Sequence, residues 1–118
     1  NIEAGRTVTV LAYEEGRPIG DGSLHHNATD WTRHIGEIRL LIGSQARGRG
    51  LGRVLADEIY ALAKILGLTM LTARMTFDQQ AAIGIFRRLG FQREAVLTDY
   101  VITPDGQTRD LLVATRRL

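Results

Sequence analysis

Apolar and polar residues alternate along residues 7–20, and an alternation with period two is typical of a half-buried β-strand. The pair Glu15-Gly16 interrupts the alternation with turn chemistry, so the segment is predicted to be an antiparallel hairpin. Residues 25–34 are mostly polar and are predicted to form a loop. The chain is therefore expected to open with two paired strands and a surface connection.

A third alternating segment, residues 36–42, is predicted to be a strand with two different faces. One face is expected to contact the core, and the other carries the charged residues Glu37 and Arg39. A strand with a charged face leaves that face available for polar chemistry. The apolar face consists of Ile38, Leu40 and Ile42.

From Leu51 onward, apolar residues recur at three- and four-residue spacing, which predicts a helix. Gly67 is placed to end this helix as the residue after its C-cap. A second helical pattern follows Asp78, the expected N-cap, and stops at Gly90. The predicted buried positions are Leu51, Val54, Leu55, Ile59, Leu62, Ala63 and Leu66 in the first helix, and Ala82, Ile85, Phe86 and Leu89 in the second.

Three further strands complete the pattern. In residues 69–77, which lie between the two helices, apolar and polar side chains alternate. Residues 95–103 and 109–114 flank a Pro-Asp-Gly turn signal at residues 104–106. The resulting order is β-β-β-α-β-α-β-β. It predicts one α/β domain of the α+β type over residues 1–118, with a mixed, mostly antiparallel sheet flanked by helices.

Composition narrows the classes of function. The chain has 118 residues, with 15 Lys and Arg against 13 Asp and Glu, so a formal charge of +2 does not favour nucleic acid as a partner. The absence of cysteine excludes disulfides, a thiolate nucleophile and Cys-ligated metal. No apolar run approaches the ~20 residues that span a bilayer. The first ten residues also lack a signal-peptide pattern, so we expect a cytoplasmic protein without a membrane partner.

Residues 47–53 combine alternating glycines with arginines, directly after a strand and at the start of a helix. The first N–H groups of a helix lack partners, and its dipole attracts anions there. Guanidinium groups suit the geometry of phosphate. The combination favours a phosphate or pyrophosphate cradle, with a glycine-rich loop and solvated arginines as the alternative. The glycines are Gly48, Gly50 and Gly52, and the arginines are Arg47, Arg49 and Arg53.

Two familiar phosphate-binding loops do not fit this segment. A Walker A loop requires a lysine and a hydroxyl residue after its second glycine, whereas Gly48 is followed by Arg49 and Gly50. A dinucleotide-binding turn requires G-x-G-x-x-G, and the spacing here is G-x-G-x-G. Neither nucleotide-binding fold is predicted.

The loop resembles instead a signature of the GNAT superfamily of acyl-CoA N-acyltransferases, [RQ]-x-x-G-x-[GA] after the family's fourth strand. Arg47, Gly50 and Gly52 match it. The element order also fits the family from Thr7 to the C-terminus. Because the family's first strand and the two helices after it would precede Thr7, we expect the chain to be N-terminally incomplete.

The helix at residues 79–91 resembles the family's second signature, N-x-x-A-x-x-x-Y-x-x-x-G-F. Gln79 stands in place of the Asn, and Phe86 stands in place of the Tyr that usually serves the leaving thiolate. Because Phe86 cannot donate a proton, the general acid stays open: water is one candidate, while Tyr60 lies in the middle of a predicted helix and no motif places Tyr13 or Tyr100 at the site. The matching positions are Ala82, Gly90 and Phe91.

The resemblance implies acetyl-CoA as cosubstrate, no metal, and direct attack of a primary amine on the acyl carbonyl. It implies that main-chain groups of the family's fourth strand pair with pantetheine and that the loop holds pyrophosphate. Those positions are Leu40, Leu41 and Ile42 for pantetheine, and Arg47, Gly48, Arg49, Gly50, Leu51, Gly52 and Arg53 for pyrophosphate, with Gln79 and Phe86 added from the second signature.

Glu37 is the candidate general base, because several family members place a glutamate on the corresponding strand. A surface carboxylate that serves only solubility is the alternative. His25, His26 and His34 are interpreted as surface histidines rather than metal ligands, since no spaced carboxylate accompanies them. Trp31 is expected to anchor its loop, with a place in an acceptor pocket as the alternative.

Two functions follow from these patterns. The first is an N-acetyltransferase that moves an acetyl group from acetyl-CoA to a primary amine. The second is a catalytically weak or inactive acyl-CoA-binding regulatory module, which the Phe86 position motivates. A small RNA-binding domain is disfavoured because no aromatic residues interleave the loop arginines. The sequence leaves open whether the acceptor is a protein or a small amine, and whether the protein is a monomer or a homodimer.

Overall fold

The structure is a computed structural model, and it describes residues 6–27 and 31–118, with the side chain of Gln45 excepted. Residues 28–30 of the predicted loop lie outside the described residues. The elements are β1 (Arg6–Glu14), β2 (Arg17–His26), β3 (Ile35–Ile42), a 3₁₀ turn (Ser44–Ala46), α1 (Leu51–Ile65), β4 (Met70–Thr76), α2 (Gln80–Arg88), β5 (Gln92–Ile102) and β6 (Thr108–Arg117).

This order and the mostly antiparallel strands confirm the predicted fold class. The chain divides into two compact units, one of residues 1–71 with 117–118 and one of residues 72–116. The strand order is β1-β2-β3 in the first unit and β4-β6-β5 in the second.

In the first unit, β1 and β2 form the predicted hairpin. Glu15 and Gly16 have φ of 52° and 78°, the left-handed pair that suits a tight two-residue hairpin turn. The prediction of a loop from residue 25 was wrong, because β2 continues to His26 and pairs with both neighbours. Cross-strand pairing outweighs the polarity of this segment, since it satisfies the backbone groups.

Helix α1 covers one face of this three-stranded sheet. Small residues let it approach, because a Cβ built on Gly22 would meet Ile59 of α1 at 3.4 Å and Leu40 at 3.2 Å. A Cβ built on Gly36 would meet Leu24 at 2.6 Å. The even-numbered residues of β2 and β3 therefore face α1, and the odd-numbered ones point to the opposite face.

The buried face of α1 differs from the predicted stripe. Val54 and Leu66 are 58% and 44% exposed, whereas Ala56 and Tyr60 are buried. The contact face of α1 therefore includes small and aromatic side chains that the apolar spacing alone did not place there. The helix ends as predicted: Gly67 has φ of 81°, and the Leu68 N–H donates to the Ala63 carbonyl at 2.9 Å.

The second unit differs from prediction at two boundaries. Strand β4 ends at Thr76, so Phe77 is not a strand residue, and the Arg93 guanidinium lies 5.5 Å from its ring centroid. Asp78 is not the N-cap of α2; Gln79 occupies that position, and its Oε1 accepts a bond from the Thr76 N–H at 2.9 Å.

The last two strands pair antiparallel across the predicted turn at residues 104–106, where Gly106 has φ of 88°. Strand β5 lies at the edge and is interrupted by two register shifts. At the second shift Asp99 has φ of 54°, and its N–H donates to Asp110 Oδ1 at 3.0 Å. Such bulges blunt the edge of a sheet against further pairing.

Candidate functional site

The glycine-rich loop joins the end of β3 to the start of α1. The Gly43 N–H donates to the Ile19 carbonyl at 2.8 Å, which ties the loop entrance to β2. The chain then forms the 3₁₀ turn, whose Ala46 is buried, and passes through exposed residues 47–50. Gly48 and Gly50 have φ of 80° and 77°, so these positions favour glycine for conformational reasons.

Open space surrounds this turn. Among the described residues, and apart from the chain neighbours of each glycine, no heavy atom lies within 4 Å of a Cβ built on Gly48 or on Gly50. The first turn of α1 contains no acidic residue. Open space, a helix N-terminus and no local carboxylate in that turn fit an anion.

The arginines of the loop differ in their contacts. Arg47 Nε donates to the Ile42 carbonyl at 3.4 Å, a long bond that draws this side chain back toward β3. Arg49 donates from both terminal nitrogens to the two carboxylate oxygens of Glu14, each at 3.0 Å. Its guanidinium lowers the pKa of the Glu14 carboxyl, chiefly through the hydrogen bond. Arg53 lies exposed on the first turn of α1.

Glu14 was absent from the sequence-based site. It follows from no local pattern, because it stands 35 residues before Arg49 along the chain. Only the hairpin, which ends β1 at Glu14, could have indicated a residue near the loop.

The other predicted cofactor-binding positions, in the loop and in β3, differ in their packing. The Leu51 side chain packs on β2, since its Cδ2 lies 3.0 Å from a Cβ built on Gly20. Gly52 is buried in α1. In β3, Leu40 faces the helix, Leu41 is 66% exposed on the opposite face, and the Ile42 carbonyl accepts the Arg47 bond.

Glu37 lies on the β3 face that points away from α1. Its side chain is only 20% exposed, and Oε1 accepts from the Arg39 guanidinium at 3.4 Å. In the strand register it stands opposite His25. Glu37 is therefore a half-buried carboxylate on this face, and its role as a base stays a prediction.

His25 is a strand residue, which corrects its interpretation as a surface-loop histidine. Its Nδ1 lies 3.0 Å from Thr7 Oγ1 and its Nε2 lies 3.0 Å from Ser23 Oγ. Hydroxyl groups suit either tautomer, because each can donate or accept. Trp31 is 85% exposed, so it does not anchor its loop by burial.

Gln79 and Phe86 belong to the second unit. Gln79 uses its side-chain oxygen on Thr76, as described above. Phe86 is 8% exposed and meets the ring of Phe91 edge to face, with centroids 5.0 Å apart. Both rings line an apolar cleft of about 150 Å³, with Arg87 and Arg93 among its lining residues.

Within residues 6–27 and 31–118, the structure brings no three His, Cys, Asp or Glu side chains together as metal ligands. In that same part of the chain, neither helix is long and apolar enough to cross a membrane.

Comparison with known proteins identifies the family to which this mixed sheet with its glycine-rich loop belongs. Residues 1–91 match the family model described as "Acetyltransferase (GNAT) family". The chain therefore belongs to the GNAT family of acetyltransferases.

Two relatives are similar in sequence. The chain is 34% identical over 89 residues to mycothiol acetyltransferase of Geodermatophilus obscurus, covering 73% of this chain and 29% of that protein. It is 33% identical over 90 residues to L-2,4-diaminobutyric acid acetyltransferase of Halomonas elongata, covering 75% and 45%. The chain thus spans less than half the length of either relative.

Solved structures support the fold. An acetyltransferase of the GNAT family from Streptococcus pneumoniae superposes with a TM-score of 0.87 at 25% identity, covering 95% of this chain and 67% of that one. The phosphinothricin acetyltransferase of Sinorhizobium meliloti in complex with AcCoA superposes with a TM-score of 0.80 at 23% identity, covering 93% and 60%.

Proposed function

We propose that the chain is the cofactor-binding part of an N-acetyltransferase that moves an acetyl group from acetyl-CoA to a primary amine. The loop from Arg47 to Arg53 carries this proposal, because its two left-handed glycines lead directly into the N-terminus of α1 in a chain of this family. Backbone N–H groups at such a site suit the pyrophosphate of CoA. Main-chain groups of Leu40, Leu41 and Ile42 would pair with pantetheine.

The reaction needs few protein groups. The amine nitrogen attacks the thioester carbonyl carbon, the C–N bond forms and the C–S bond breaks. The acceptor ammonium must lose one proton before its nitrogen can attack, the tetrahedral oxyanion must be stabilised, and as the C–S bond breaks the nitrogen loses a second proton while the thiolate gains one. We assign the first task to Glu37, whose carboxylate is half-buried on a polar face. Water supplies the thiolate proton, since Phe86 has no hydroxyl.

The acceptor is assigned only to the class of primary amines. Both relatives are named as acetyltransferases, and diaminobutyric acid is an amine substrate by its name. The charges on the β3 face, Glu37 with Arg39, suit an acceptor that carries both an ammonium and an anionic group.

One observation favours the second candidate, an acyl-CoA-binding module with weak or no turnover. The position of the usual family tyrosine holds Phe86, whose ring packs on Phe91 rather than presenting a polar atom. A module of this kind would bind CoA through the same loop.

The experiment that separates the candidates measures free thiol with acetyl-CoA and a panel of primary amines, alongside calorimetric binding of CoA. Alcohols with the same carbon skeletons serve as the matched control acceptors. Thiol release that depends on an amine supports the transferase. CoA binding without release for any amine supports the binding module, and no CoA binding rejects both.

A further inference from the structure

Arg49 has an unusual place in the loop. It is flanked by Gly48 and Gly50, both with positive φ, and its guanidinium forms a two-bond contact with Glu14 at the end of β1. The contact joins the loop to the β1–β2 hairpin across 35 residues of sequence.

The turn needs an anchor of this kind. Glycine has a wide conformational range, so a turn with two glycines loses much backbone entropy when it adopts one conformation. At Gly48 and Gly50, none of the described residues other than the chain neighbours lies within 4 Å of a built Cβ, so packing against other segments does not restrict these positions. A bidentate guanidinium–carboxylate pair fixes orientation as well as distance.

The pair also matters for charge. An unpaired carboxylate at the end of β1 would repel an anion bound at the loop. In the structure the Glu14 carboxylate is matched by Arg49, with both bonds at 3.0 Å. The same contact engages both terminal nitrogens of Arg49, which a phosphate would otherwise use.

We propose that Glu14 and Arg49 form a clamp that holds the loop in its anion-binding conformation. Glu14 is then a positioning residue for CoA, and Arg49 acts through Glu14 rather than on phosphate. This inference rests on the proposed function for its ligand, and it changes the role of Arg49 from the one implied by the family resemblance.

The sign of the effect of Glu14→Gln on CoA affinity tests the clamp. A clamp predicts binding about two- to fivefold weaker, within the range of an exposed ion pair. If Arg49 instead bound phosphate directly, removing the competing carboxylate would tighten CoA binding. Glu15→Gln, at the adjacent position, carries the same change in net charge and is the matched control. Calorimetry with CoA gives the affinities.

The exchanged pair Glu14→Arg with Arg49→Glu provides a second test. It restores opposite charges at unchanged net charge, so a clamp predicts CoA affinity within about twofold of the parent, whereas Arg49→Glu alone loses most binding. A direct phosphate role predicts that the exchanged pair binds as poorly as Arg49→Glu alone.

Hydrogen exchange of the free protein separates this inference from the proposed function. The amides of residues 48–52 should exchange faster in Glu14→Gln than in the parent and in Glu15→Gln. If the parent does not bind CoA, the proposed function fails, and the exchange rates still decide whether the clamp exists. Unchanged exchange in Glu14→Gln, or tighter CoA binding, overturns the clamp.

Discussion

The rings of Phe86 and Phe91 meet edge to face, with centroids 5.0 Å apart and planes at 78°. The contact closes the end of α2, where the Phe91 N–H donates to the Phe86 carbonyl and the Gly90 N–H donates to the Arg87 carbonyl, each at 3.0 Å. These are the two bonds of a Schellman motif, and an apolar contact between the same two positions commonly accompanies it. The spacing of aromatic, glycine and aromatic residues thus has a structural cause that is independent of catalysis.

Phe86→Ala should lower the free energy of unfolding by about 3–5 kcal/mol, the usual loss for a buried phenylalanine. Both rings are almost fully buried, so the cavity would be large. Urea denaturation measures the loss, and Phe86→Leu is the control that keeps most of the apolar volume. A loss below about 1 kcal/mol for Phe86→Ala would contradict the packing role.

Phe86→Tyr tests the site as well as the core. The added tyrosine hydroxyl finds a hydrogen-bond partner only if the para position of the ring faces bound cofactor. Otherwise its burial lowers the free energy of unfolding by roughly 1–3 kcal/mol. A stable Tyr variant with faster thiol release would show that the parent lacks a good acid. A Tyr variant as unstable as the Ala variant would indicate that Phe86 serves only in packing of the hydrophobic core.

Gly90→Ala and Gly84→Ala should act in opposite directions. Gly90 has φ of 94°, and a Cβ there would meet Arg116 Nε at 3.1 Å, so alanine should destabilise by roughly 1–2 kcal/mol. Gly84 lies inside α2, where a Cβ would meet only the Arg88 guanidinium, at 3.5 Å or more, so alanine should stabilise by about 0.5–1 kcal/mol. Thermal unfolding of both variants checks the pair. Destabilisation by Gly84→Ala would contradict the expectation that this position is limited only by helix propensity.

Gly50→Asp should abolish CoA binding, whereas Gly50→Asn should keep part of it. Asp and Asn both tolerate positive φ, and the position is open, so the two variants should fold alike and differ in charge. The rise in melting temperature with CoA, compared with dephosphorylated pantetheine, reports binding at the loop. Equal CoA binding by Gly50→Asp and the parent would remove this site assignment.

Glu37→Gln should lower turnover by about 10² to 10⁴ while CoA affinity changes little, if Glu37 accepts the acceptor proton. Glu58→Gln, on the exposed side of α1, is the control for loss of a carboxylate elsewhere. Steady-state rates with saturating amine and calorimetry with CoA measure the two effects. Unchanged turnover would indicate that Glu37 is a surface carboxylate that serves only solubility.

The turn between β5 and β6 should weaken in acid. The Thr103 hydroxyl, followed by the Gln107 N–H, lowers the pKa of the Asp105 carboxyl. A depressed pKa means that the stabilisation is present above the unfolded value, near pH 4, and is lost as the pH falls through the folded value. The difference in urea midpoint between parent and Asp105→Asn should therefore shrink as the pH falls from above the unfolded pKa through the lower pKa of the folded protein. Thr103→Ser should keep the pH dependence because it keeps the hydroxyl, and a difference that does not vary with pH would contradict the assignment.

Local patterns in the sequence predicted much of this protein. The order of strands and helices, the turn at Glu15-Gly16, and the helix ends at Gly67 and Gly90 were all correct. Each depends on residues close together in the chain, because hydrophobic period and left-handed glycines are properties of short segments. The loop between β3 and α1 was found for the same reason.

Contacts between distant segments were decided by the tertiary structure. His25 became a strand residue because pairing with β1 and β3 satisfied its backbone, and the buried face of α1 was set by its packing on the sheet, where Gly22 leaves room for Ile59. The bond between Glu14 and Arg49 has no local signal at all, since the hairpin and the loop meet only after folding. A one-dimensional pattern carries the period of a segment, and the choice of partner for a charge depends on which segments the fold places side by side.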